Sequence, residues 1–87
     1  MTGFPLFQFL RDLQAVNKSF TITAEVNYPK SDKVNANQAE AIIIVKKPDG
    51  TGQSFGKEFS VDVIDLVQLT ENFATDIKDV IPEIVLP

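Results

Sequence analysis

Apolar side chains between Pro5 and Val16 recur at intervals of three and four. Leu6, Phe9, Leu10, Leu13 and Val16 make one stripe, with Gln8, Arg11 and Asp12 on the opposite side. That period is helical, and Pro5 suits a first helical turn because its missing N–H would have no partner there. Phe7 lies beyond the edge of the stripe and is the large apolar side chain the helix does not turn inward. From Ser19 to Tyr28 the period becomes two. Phe20, Ile22, Ala24, Val26 and Tyr28 take one face, and Ser19, Thr21, Thr23, Glu25 and Asn27 the other. This predicts a half-buried strand, ended by Pro29.

Pro29 to Gln38 is polar and without period, so a loop is expected. It is longer than a tight hairpin needs, which either serves function or is slack. Ala39 to Lys47 predicts a second strand that is apolar on both faces. Ala41, Ile43 and Val45 point one way, Ile42 and Ile44 the other. The run Lys47-Pro48-Asp49-Gly50-Thr51-Gly52 is a turn signal, with proline fixing φ and glycine tolerating its positive range. A third strand follows from Gln53 to Val63, with Phe55, Phe59, Val61 and Val63 on one face and Glu58, Ser60 and Asp62 opposite.

A second helix is predicted from Asp65 onward. Leu66, Leu69, Phe73, Ile77, Val80 and Ile81 share one face, flanked by Val67 and Ala74, and the polar residues fall outside that arc. Asp65 with Gln68 resembles a capping box, Ile64 can staple onto Leu69, and Pro82 stops the helix. The tail Glu83 to Pro87 is a candidate for a short C-terminal edge strand. The expected fold is therefore α+β, one domain over residues 1–87. It runs N-terminal helix, three-stranded antiparallel meander, C-terminal amphipathic helix (α-β-β-β-α), with both helices on one sheet face.

Composition narrows the chemistry. An apolar share of 44%, with seven Phe in 87 residues, is enough for one core and excludes a disordered chain. The net charge of −4 argues against nucleic acid, which draws its affinity from clustered Lys and Arg. Here Arg11 is the one arginine, and the adjacent pair Lys46-Lys47 reads as a device that keeps an edge strand soluble. The longest unbroken apolar run, Ala41 to Val45, is far too short to span a membrane. The N-terminal stretch carries no basic region or cleavage site, so the cytoplasm is the expected location and Asn17-Lys18-Ser19 is not expected to be glycosylated.

The chain has neither His nor Cys. That removes the commonest general base, the usual transition-metal ligands and the best neutral-pH nucleophile. The carboxylate pairs Asp62/Asp65 and Asp76/Asp79 are spaced to hold a hard cation. They read instead as a cap and a solvated helix face. The glycines of Gly50 to Glu58 miss the phosphate-loop spacing, and the residues after them alternate as a strand rather than start a helix. Tyr28 reads as a strand-end ring with a wet hydroxyl. No catalytic residue, cofactor or metal is expected.

The expected function is a non-catalytic protein-interaction module: an assembly subunit, an adaptor or a small inhibitor. Its partner would be another protein or a second copy, and neither nucleic acid nor a membrane. Two helices cover one face of three strands, so Ile42 and Ile44 should be left as an apolar centre with a polar rim, the usual anatomy of an interface. Phe7 is the third candidate contact. The competing expectation is that Ile84, Val85 and Leu86 fold back over the two isoleucines. The alternative function is binding of a small apolar molecule between sheet and helices, in a pocket lined by Phe9, Phe20 and Phe73.

Overall fold

A computed structural model describes residues 5–27, 38–60 and 65–87. The chain runs α1 (Pro5–Val16), β1 (Thr21–Asn27), β2 (Gln38–Lys46), β3 (Gly52–Ser60) and α2 (Leu66–Val80). The strands form one open antiparallel sheet in the order β1-β2-β3. This is the α+β order read from the sequence. Tyr28, the loop from Pro29 to Asn37, the last predicted strand residues Val61 to Val63, and Ile64 lie outside the described residues.

Both helices pack on the same sheet face, α1 over β1 and α2 over β3, and they touch each other above β2. Between them lies the core: Leu6 and Leu13 from α1, Ala41, Ile43 and Val45 from β2, Phe55 from β3, and Leu69, Phe73 and Ile77 from α2. Val16 and Val80, the last residues of the two helices, are exposed, whereas Ile81, just past α2, is wholly buried.

Local chemistry sets the boundaries. Asp65 caps α2, its Oδ1 accepting from the Gln68 N–H at 2.9 Å. The Gln68 side chain turns along the helix and donates to Asn72 Oδ1 at 3.0 Å. At the β2–β3 turn, the Lys47 carbonyl accepts from the Gly50 N–H at 2.9 Å, and the Lys47 N–H donates to the Thr51 carbonyl at 2.8 Å. Gly50 has φ +93°, the one positive value among the described residues, as a three-residue hairpin loop requires. Asp49 tightens the turn by accepting from both the N–H (2.9 Å) and the hydroxyl (2.7 Å) of Thr51. Those bonds hold its carboxyl below the usual range.

Two expectations are corrected. The tail is not an edge strand. Ile84 is wholly buried in the core, and Val85 is held by the Asn17 side chain, so the tail's polar groups are satisfied by a side chain rather than by a strand ladder. Lys46-Lys47 does not protect an edge, because the middle strand of a meander is central in the sheet. Lys46 ends that central strand, and Lys47 forms an ion pair with Glu83 of the tail at 3.0 Å.

Asn17 itself carries a role its sequence gives no hint of. It is 95% buried (5% exposed) just past α1, and its Nδ2 donates to the carbonyls of Leu13 (2.8 Å) and Val85 (2.7 Å). Its Oδ1 accepts the Val85 N–H at 2.9 Å. Lys78 completes the anchor by donating to the carbonyls of Pro82 and Ile84.

Candidate docking face

The register of β2 explains why its two stripes meet different fates. Successive side chains of a strand alternate between faces, and residues paired across an antiparallel sheet share a face. Ala41, Ile43 and Val45 face the helices and are buried. Ile42 and Ile44 face the other way. Ile44 stands between Thr23 and Ser54, and Ile42 between Glu25 and Gly56. Thr23, Ser54, Glu25 and Gly56 are all exposed, and Ile44, on the central strand, is 38% exposed. A residue in the middle of a sheet reaches that exposure only where nothing lies over it. Among the described residues the outer face is bare, and the molecule's thinnest extent of 19 Å leaves room for one helical layer on the sheet.

The relief of this face comes from glycine. Gly56 does not need positive φ, yet it stands in the middle of β3. A Cβ added there would come within 3.3 Å of Glu40 Oε2 and 4.0 Å of Ile42 Cγ1. A Cβ at Gly52 would meet Lys46 Cγ at 3.3 Å. The long charged side chains of β2 thus lie sideways over the two glycines, and the isoleucine pair stands as the ridge between them.

Charge is distributed unevenly about that ridge. Glu25, Glu40 and Glu58 lie on the outer face at the Ile42 end, with Glu40 and Glu58 directly opposite each other. Lys46 occupies the far end, beside Ile44. Lys57 belongs to the inner face and is paired with Asp76 of α2.

The other sequence candidates fall elsewhere. Phe7 is 48% exposed, but it sits on α1, in the helical layer, and the structure does not bring it to Ile42 and Ile44. The tail Ile84-Val85-Leu86 does fold back, but onto Asn17 on the helical side, so it does not cover the isoleucines. Asp65 is a cap, Asp76 is an ion-pair partner, and Asp62 lies outside the described residues. Gly50 to Glu58 is the hairpin turn and its strand. Phe73 is wholly buried, with Phe9 and Phe20 packed against the same core, and no cavity opens among the described residues. Among those residues no three acidic side chains are grouped to hold a metal ion, and no helix is long and apolar enough to cross a membrane.

Sequence reasoning missed Gln14 as well as Asn17. Gln14 Nε2 donates to the Phe20 carbonyl at 2.7 Å, and its Oε1 accepts the Ile22 N–H at 3.0 Å. The amide thereby fills the backbone groups that open the outer edge of β1, where another strand would pair. The signal for it was a glutamine in the last turn of the helix before the strand, which is too common to be read. Comparison of the chain with protein-family models, with curated proteins and with solved structures finds no match.

Proposed function

We propose that this protein is a non-catalytic interaction module, cytoplasmic, that docks on a protein partner or a second copy through its outer sheet face. The observation that carries the reading is the exposure of Ile44 at the centre of that face, with Ile42 beside it and Thr23, Ser54, Glu25 and Gly56 around them. An apolar centre with a polar rim is how protein interfaces are built. The chain's lack of His and Cys supports a role without catalysis.

Substitution Ile44→Lys tests it, with mass in solution and thermal melting both measured. The monomer should keep its stability to within about 0.5 kcal/mol, as surface substitutions do, while association is lost. A variant that unfolds would mean the ridge is covered within the monomer. If wild type stays monomeric at high concentration and the variant unfolds, the docking reading is wrong.

A further inference from the structure

We propose that the partner presents a basic segment to the outer sheet face, setting an apolar side chain on Ile42 and Ile44 and lysine or arginine side chains against Glu25, Glu40 and Glu58. This rests on the docking reading and names the partner's chemistry. The Lys47–Thr51 hydrogen bond marks which β2–β3 pairs exchange backbone bonds, and by alternation Glu40 and Glu58 form a pair that does not. Side chains of such pairs stand closest together, and like charges directly opposite oppose the sheet's own stability. Glu40 answers by laying its carboxylate over Gly56, next to Ile42. The negative charge is thereby drawn to the apolar ridge.

Among the described residues, nothing on the same face neutralises it. None of the three glutamates takes part in an ion pair among the described residues. Lys46, the cation of this face among the described residues, is six residues along β2 from Glu40, which is about 20 Å at strand rise and more than twice the Debye length of about 8 Å in physiological salt. An unneutralised acidic rim joined to an apolar centre selects a partner that is apolar and basic at once.

A second copy fits less well. Strands of seven, nine and nine residues present a face of at most roughly 15 × 30 Å, so two copies face to face bury at most about 900 Å², less than the ~1,200 Å² of a stable interface. Such a pair would also set six glutamates against two lysines, between chains of net charge −4. A short basic segment needs only to cover the ridge.

The probes are two amphipathic helical peptides of about four turns, one of Leu and Lys, the other of Leu and Glu. Each is titrated into the isotopically labelled full chain and followed by the amide resonances. The Leu/Lys peptide should bind more tightly, shift Ile42 and Ile44, and weaken as salt rises. Glu40→Gln with Glu58→Gln should weaken it about fivefold, the product of two exposed ion pairs of middling strength. Glu71→Gln with Asp79→Gln, the same charge change on the exposed side of α2, should leave affinity within about twofold. Equal weakening by both double variants would overturn the proposal as general charge attraction. Binding that ignores the glutamates but is abolished by Ile44→Lys would overturn the basic partner and leave the docking reading standing. A wild-type dimer broken by Ile44→Lys, with neither peptide bound, would give the face to a second copy. No binding by either peptide to a monomeric wild type would refute the inference and the reading beneath it together.

Discussion

Removing the Asn17 amide should cost this fold a large part of its stability. In Asn17→Ala three hydrogen bonds disappear: two from Nδ2 to the carbonyls of Leu13 and Val85, and one from the Val85 N–H to Oδ1. Leu13 O keeps a partner in the Asn17 backbone N–H at 3.0 Å, so its loss is the small net value of one bond. Val85 loses both backbone partners, but its residue is 54% exposed and water can reach them. Three net bonds at about 1 kcal/mol each, with the two at Val85 partly recovered by water, come to about 1.5–3 kcal/mol. A chain of this length has about 4–13 kcal/mol in all. Equilibrium urea unfolding of wild type and variant measures the difference, and amide exchange at Val85 locates it. Asn17→Asp is the sharper control, because it keeps the acceptor for Val85 N–H and loses both donors to carbonyls; it too should destabilise. If both variants unfold within about 0.5 kcal/mol of wild type, the tail is not held by this side chain.

Phe73→Ala should cost about 3–5 kcal/mol, since the ring is wholly buried between helix and sheet; urea unfolding would show it, and a near-wild-type midpoint would mean the helix is misplaced. Asp65→Ala should cost about 0.5–2 kcal/mol by loss of the cap on Gln68, and should leave peptide binding at the sheet face unchanged. Acid should loosen the β2–β3 turn and the tail. The carboxyls of Asp49, bonded to Thr51, and of Glu83, bonded to its own backbone and to Lys47, both have lowered folded-state values. Their stabilisation is present above the ordinary values of 3.8 and 4.5 and is lost as pH falls through the lower folded ones. The drop in melting temperature over that acid range should be shallower in Asp49→Asn with Glu83→Gln, and an unchanged profile would disprove the assignment.

The parts of the fold legible in the sequence are those with a period. The helical stripes of α1 and α2 and the alternation of β1 are each written within a dozen or so neighbouring residues, and burial follows them at Leu13, Phe73 and Ile77. The turn at Gly50 was legible because proline and glycine act on their own backbone. Asn17 was not. Its partner Val85 is 68 positions away, and no local pattern separates an asparagine that ends a helix from one that ties two chain segments together. The same holds for Gln14 and for Lys47 with Glu83, contacts between side chains that only the folded layers bring together. Lys46-Lys47 misleads for another reason, since composition marks a solubilising pair but carries no strand order.

The apolar outer stripe proposed for docking was legible for a reason that also fixes its character. A central strand in a two-layer fold has one face to the helices and one to solvent, so β2 needs a single apolar stripe for its core. It has two, and the second is surplus to folding. The cost of that surplus is kept low: Ile42 and Ile44 are flanked by Thr23, Glu25, Ser54 and Gly56, with Glu40 and Glu58 beyond, and Gln14 fills the opening of the β1 edge. Gly56 sharpens the point. A glycine within a strand and without positive φ gives up about 0.5–1 kcal/mol against alanine, and here the backbone asks for nothing in return. What it provides is room for the Glu40 carboxylate to lie flat next to Ile42. Stability is given up on the one face that the core does not use, and in the position that draws negative charge to the ridge; such a departure from local preference is expected where a surface is shaped for contact rather than for folding.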